Sequence, residues 1–296
     1  MACETQVTWV ADLTERLVLE SIHGTTVVAR QQVTPQMVRL TLAFDDNTDW
    51  KTTGLGDEFV HVDVEAETLD ADGHSERHYT VSGLVDGGIE MEVFLHGDGP
   101  GARWGREAAI GDTVKISDPF GYYKVPADAG TRVLVGDLTA VPAIARILAE
   151  AGAEERFQVV VELPSISESR DLPSAADVTV QWRVGGNGAG PSLLPEIVRS
   201  LAAQGVIDPT GNDYLWVAGE SKVTRAVRAQ LRNEVKLPIT RQRLVGYWHA
   251  NGEQVLEEWE ALSEELKAKY FAIWREDRTD EENWLELEPF LQSVGH

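Results

Sequence analysis

The hydrophobic pattern of this chain changes period once, near Gly130, and that change constrains the fold more than any other feature. From Ile22 to about Val125 the apolar residues alternate in short runs broken by Gly, Asp and Pro. The runs are Thr26 to Ala29, Met37 to Phe44, Phe59 to Val64, Tyr79 to Ser82, Ile89 to Leu95 and Thr113 to Ile116. Period-two runs separated by turn residues predict an antiparallel barrel or sandwich. No long helical pattern interrupts them. After Gly130, β-branched strands alternate with helices: strand Arg132 to Val135, helix Pro142 to Glu150, strands Phe157 to Leu163 and Val178 to Val184, and a helix from about Ser192 to Gln204. Strand Tyr214 to Ala218, helix Lys222 to Val235 and strand Arg243 to Tyr247 complete a doubly wound parallel sheet. The 296 residues suffice for two cores.

Residues 251–296 differ again, with 13 acidic residues against 4 basic. Leu256, Trp259, Leu262, Leu266, Tyr270 and Trp274 recur at steps of three and four. The spacing predicts one amphipathic helix folded back on the body, with a partner-binding helix as the alternative. The expected division is therefore a barrel domain over 1–128, an α/β domain over 129–250 and an acidic helical tail over 251–296.

Charge and cysteine usage narrow the function. Lys and Arg number 26 against 49 Asp and Glu, a formal net charge of −23, which argues against nucleic acid and anionic membranes as partners. An anionic ligand would need a local cluster of bases. Cys3 is the only cysteine, so neither a disulfide framework nor a thiolate metal site can be built. The N-terminus shows no basic segment leading into an apolar stretch, and no run of about 18 apolar residues occurs, so a soluble cytoplasmic protein is expected.

Five segments carry chemistry. In Arg77-His78-Tyr79-Thr80-Val81-Ser82, strand alternation puts Arg77, Tyr79 and Val81 on one face and His78, Thr80 and Ser82 on the other. Arg offers a planar fork for phosphate, Tyr a flat ring for stacking and Thr a hydroxyl. His96 to Trp104 is a loop in which Gly97, Gly99 and Gly101 allow close backbone approach to a diphosphate. Gly136-Asp137-Leu138-Thr139-Ala140-Val141-Pro142 leads from a strand into a helix, with Thr139 as the expected N-cap and with amides exposed at the helix start. Leu215 to Glu220 and Gly246 to His249 end two parallel strands, where open α/β sheets bind ligands. Trp216 and Trp248 are either core residues or ligand contacts.

The first segment resembles the Arg-x-Tyr-Thr flavin signature of the ferredoxin reductase superfamily. The five together, in order from about Arg16 to Gly252, resemble the siderophore-interacting protein family. Ala102 stands where serine is frequent, Leu138 where glutamate is usual, and His249 where an arginine commonly follows. The resemblance implies a barrel that binds FAD, a nicotinamide-nucleotide-like α/β domain, and reduction of a ferric siderophore with no protein-bound metal and no named catalytic side chain. FAD would be held by Arg77, His78, Tyr79, Thr80, Val81, Ser82, His96, Gly99, Gly101, Ala102, Arg103, Trp104, Asp137, Thr139 and Trp248. Arg183, Gly219 and Glu220 would meet NADPH or NADH, with ferredoxin as another donor. Lys51, Lys124, Arg241 and Arg243 are the bases available for an anionic chelate, Lys51 and Arg243 being preferred. A monomer is expected. Two alternatives remain: a flavin reductase or diaphorase acting on a redox protein or quinone, and a flavin-free chelate-binding protein.

Overall fold

The structure is a computed structural model that describes residues 22–64, 76–97, 99–187, 190–250, 259, 261–275 and 277–294. Cys3, Arg16, Gly252 and Leu256, named above, lie outside the described residues. Two compact units divide the chain, Arg16–Tyr247 and a second that contains Trp248–His296.

In the first unit, six strands close into an antiparallel barrel of order β1-β2-β5-β4-β3-β6. They are β1 (Ile22–Thr34), β2 (Met37–Phe44), β3 (Phe59–Asp63), β4 (Glu76–Val85), β5 (Gly88–Phe94) and β6 (Thr113–Ser117). In β2 the sequence MVRLTLAF places Val38, Leu40 and Leu42 at zero exposure, with Arg39 and Thr41 turned outward. These side chains join Val60, Val62, Val81, Ile89, Met91 and Ile116 in one core. Closure between β1 and β6, in register from Ile22 opposite Ser117, leaves the barrel without a free edge. Between β5 and β6 the glycine-rich stretch read as a loop is half helix: α1 runs Pro100–Glu107, with Pro in the first turn, where its missing N–H is harmless.

The second half is a five-stranded sheet of order β11-β10-β7-β8-β9, built from β7 (Thr131–Gly136), β8 (Arg156–Leu163), β9 (Asp177–Val184), β10 (Tyr214–Glu220) and β11 (Gln242–Trp248). β7 pairs in parallel with both β8 and β10, and β8 with β9. Helices α2 (Val141–Ala149), α3 (Leu194–Ala203) and α4 (Ser221–Gln230) contribute to separate apolar cores. The β8–β9 crossover carries only a single 3₁₀ turn, Ile166–Glu168. Its buried Glu168 accepts hydrogen bonds from the Thr34 hydroxyl (2.5 Å) and the Gln36 amide (3.1 Å), so this connection fastens the sheet to the β1–β2 turn of the barrel. Nearby, Glu92 of β5 accepts a two-pronged contact from Arg170 at 2.8 Å and another from Arg39 at 2.7 Å.

The tail corrects the expected single helix. Ser263 caps a helix α5 (Glu264–Ile273), and a second helix α6 spans Asp280–Ser293. Trp259, Tyr270 and Trp274, expected on one stripe, instead share a small core with Trp284, Leu287 and Leu291 of α6. The hydroxyl of Ser263 takes the Leu266 amide, and that cap sets where α5 begins. No described helix is long and apolar enough to cross a membrane.

Candidate functional site

β4 carries the first motif, and its pairing with β3 fixes which residues share a face. Arg77 lies opposite Val62 and Tyr79 opposite Val60, while His78 lies opposite His61 and Thr80 opposite Phe59. Val60, Val62 and Val81 are fully buried in the barrel, so the Arg77-Tyr79-Val81 face is the inner one. The outer face holds aromatic rings in contact: His61 and His78 with centroids 4.0 Å apart, His78 and Phe59 at 5.2 Å, and Phe59 and Tyr122 at 5.6 Å. Burial, and then the charges of His61 and Arg77, hold the His78 imidazole well below its ordinary pKa, so it is neutral at pH 7.

Tyr79 meets α1 at the end of the barrel. Its ring lies 5.6 Å from that of Trp104, and a methyl group added to Gly101 would overlap the Tyr79 hydroxyl and approach Arg77. Only glycine lets the chain lie that close. Gly99 precedes the helix without any side-chain cap, and the first turn of α1 holds no acidic residue. Its leading amides are therefore not taken by a carboxylate or hydroxyl of the cap, and the helix end carries positive partial charge. Arg106 donates to the Gly97 carbonyl and so steadies the turn, while Pro100, Arg103 and Trp104 line a cleft beside it. Next to the turn, the His96 ring sits 4.8 Å from that of Phe94, and its pKa is lowered by burial and by Arg106. Arginines, an uncapped helix start and a glycine that admits close approach suit a diphosphate, and the aromatic bed suits a flat ring system. The residues present fit FAD.

Several expected contacts are placed elsewhere. Val81 turns its side chain into the barrel, its amide donates to the Glu58 carbonyl at 2.9 Å, and its carbonyl accepts from Arg146 at 2.9 Å. Ala102 is buried. Ser82 sits in a bulge between Val81 and Gly83, and its buried hydroxyl has no partner among the described residues. Thr139 does not cap the helix. Asp137 does the capping, accepting the Thr139 amide (2.9 Å) and hydroxyl (2.5 Å) at a 3₁₀ turn that precedes α2. Asp137 is itself buried and close enough to Gly219 that a Cβ there would lie 2.8 Å from its carboxylate. Asn187 takes the Leu138 amide, so the Leu138 and Thr139 amides of the turn before α2 are occupied, while α2 itself begins without a side-chain cap. Glu220 caps α4 through the Val223 amide at 2.9 Å. Arg183 is exposed on the edge strand β9, Trp248 ends β11, and Trp216 is a core residue. Among the bases, Arg241 is bound at both nitrogens to Asp128, whereas Lys51 and Lys124 are exposed.

Beside Asp137 lies Glu162, which accepts the Ser192 hydroxyl (2.8 Å) and the Leu193 amide (2.5 Å). Burial, despite those donors and with some help from Asp137, pushes its pKa up to about 7. A raised carboxylate favours the folded state most when protonated. The stability Glu162 contributes is thus fully present below its unfolded pKa and lost as pH rises through about 7. In urea unfolding between pH 4.5 and 7.5, Glu162→Gln should flatten this part of the profile; a profile identical to that of the parent chain would rule the assignment out.

Two acids that sequence reasoning passed over organise the site. Asp57 accepts the Tyr122 and Tyr123 amides, both at 2.8 Å, and the Trp216 indole at 3.3 Å, and burial raises its pKa. The Arg243 guanidinium, which also acts on Asp57, stacks 4.3 Å above the Tyr122 ring. Glu58 is fully buried and accepts Thr52 and Thr53 of the loop that carries Lys51. Glu58 thus holds the loop residues that follow Lys51, and Asp57 feels the charge of Arg243.

Comparison with known proteins decides the family. The family model for the siderophore-interacting FAD-binding domain matches residues 63–123, and the one for siderophore-interacting protein matches 129–251. The chain belongs to the siderophore-interacting protein family. Its cofactor is FAD. Ferric vibriobactin reductase ViuB of Vibrio cholerae is 28% identical over 163 residues, 54% of this chain and 58% of that protein. The NADPH-dependent ferric-chelate reductase of Escherichia coli is 22% identical over 55% of this chain and 61% of its own length. The chain thus spans about three-fifths of the length of these two relatives. A crystal structure of a siderophore utilization protein from T. fusca superposes with a TM-score of 0.65 at 24% identity, covering 78% of this chain and 93% of that one, and shares the fold.

Proposed function

We propose that this flavoprotein reduces ferric siderophores and so releases ferrous iron, with NADPH or NADH as the donor and ferredoxin as the alternative donor. The observation that carries the reading is the meeting of Arg77, Tyr79 and Gly101 at an uncapped helix start, next to an aromatic face that ends in Arg243. Arg77 and the α1 amides would hold the diphosphate of FAD, and Tyr79 and Trp104 would border it where β4 meets α1. When bound, FAD supplies the ability to accept two electrons together and pass them on singly, which ferric iron requires. Lys51 and Arg243 would draw in an anionic ferric chelate against the net charge of −23. Hard oxygen chelators hold ferrous iron more weakly than ferric, so reduction loosens the complex.

The test is anaerobic. NADPH or NADH should bleach the bound flavin, and added ferric siderophore with a ferrous trap should restore the yellow colour while the trapped complex forms. Charge-removing substitutions at Lys51 and Arg243 should raise the Michaelis constant for an anionic chelate more than for a neutral one. Reoxidation by quinones but not by ferric chelates would replace this reading with a diaphorase, and protein that never takes up flavin would overturn it.

A further inference from the structure

We infer that Arg146 is a positioning residue, which with Glu58 holds the flavin strand and the Lys51 loop in one fixed relation. This rests on the reading that FAD lies against β4. Arg146 projects from α2 and is almost wholly buried, as is Glu58, which precedes β3. One guanidinium nitrogen donates both to Glu58 Oε1 at 2.6 Å and to the Val81 carbonyl at 2.9 Å. Its Nε donates to Glu150 at 2.8 Å.

Three segments meet on this pair. The first is β4 at the point where the flavin motif ends: the Glu58 backbone takes the Val81 amide and Arg146 takes the Val81 carbonyl, so both backbone groups of Val81 are bound immediately before the bulge at Ser82. That bulge changes the register after Val81, one residue beyond Thr80, the motif's hydroxyl. The second is the loop after Lys51, since Glu58 accepts the Thr52 hydroxyl at 2.7 Å, the Thr53 hydroxyl at 2.6 Å and the Thr53 amide at 2.7 Å. The third is α2, which begins just beyond the Asp137 turn at the end of β7. A purely stabilising contact at this place would need only apolar residues of similar volume, which commonly serve as well as a buried ion pair. The pair instead supplies directional bonds to a main-chain carbonyl and to a loop, and lysine, a point charge without a planar fork, would not hold them in the same directions.

The decisive variant is Glu58→Gln with Arg146→Met in the full chain, which removes both buried charges together and leaves the Val81 carbonyl without its donor. Folding should be retained with a smaller loss of stability than Arg146→Met alone causes, while the FAD dissociation constant rises by about tenfold. Hydrogen exchange in residues 51–54 and 80–83 of the flavin-free protein should accelerate, and the flavin midpoint potential should shift. Arg146→Lys should restore slow exchange at the loop, where charge suffices, more than at Val81. A double variant with parent-like FAD affinity, potential and exchange would show that the pair only stabilises the fold and would overturn the inference. Failure of the parent protein to bind FAD would instead overturn the reading on which it rests.

Discussion

Arg146→Met alone should lower the unfolding free energy of the flavin-free protein by about 3–5 kcal/mol, because it strands a buried carboxylate. The Glu58 side chain has no solvent exposure and that of Arg146 only 2%. With the guanidinium gone, Glu58 keeps the hydroxyls of Thr52 and Thr53 and the Thr53 amide. Those neutral donors offset part of the loss and place the value toward the lower end of the range. Glu58→Gln should cost less, since Arg146 would keep Glu150, which is 47% exposed, and the Val81 carbonyl. Urea unfolding monitored by tryptophan fluorescence measures both. A loss below about 1 kcal/mol for Arg146→Met would mean that water reaches Glu58, and the pair could then not act as a rigid link.

How much of this was legible in the sequence follows from the range of each interaction. β2 could be read because its alternation is a property of eight consecutive residues, and the structure begins and ends it at the expected Met37 and Phe44. The change of pattern at Gly130 was legible for the same reason: barrel strands and parallel strands bury different faces along their own length. Caps were harder to read. Asp137 and Thr139 both have side chains able to cap, and the strand end at Gly136 decides between them, since it brings Asp137 to the turn first. The tail stripe was found, but a stripe does not show that Ser263 starts a fresh helix or that α6 covers the same rings.

The Gly56-Asp57-Glu58 step was missed because two adjacent acids before a strand look like a solvated turn. What makes them structural lies far along the chain, 88 residues away at Arg146 and 159 residues away at Trp216. Neither Arg146 nor Trp216 bears a pattern that points to its acid. The signal that could have drawn notice is Glu58 itself, a charge placed where the alternation of β3 begins. The flavin motif was legible only as a resemblance; its two-faced layout came from alternation, but the closeness of Gly101 to Tyr79 depends on where α1 returns to the barrel.

The second large effect is at Arg77, where replacement by Ala should weaken FAD binding by about ten- to hundredfold, the worth of a charge-assisted bond to phosphate. Arg77 lies opposite Val62 on the inner face of β4, and its stem borders Gly101 at the start of α1. No acidic side chain occupies the first turn of that helix, so the anion held there would meet the guanidinium and the helix amides together. Lysine keeps the charge but not the planar fork, so Arg77→Lys should recover only part of the affinity. Arg77 differs from Arg146 in where the loss should appear. Its role is to meet the ligand, so flavin-free Arg77→Ala should unfold at a midpoint close to the parent, whereas Arg146→Met should not. Flavin fluorescence titration of apoprotein gives the affinity, and urea unfolding of the same preparations gives the stability. An Arg77→Ala variant that binds FAD within twofold of the parent would place the diphosphate elsewhere, whereas one that loses affinity and stability in equal measure would make Arg77 a structural residue of the barrel.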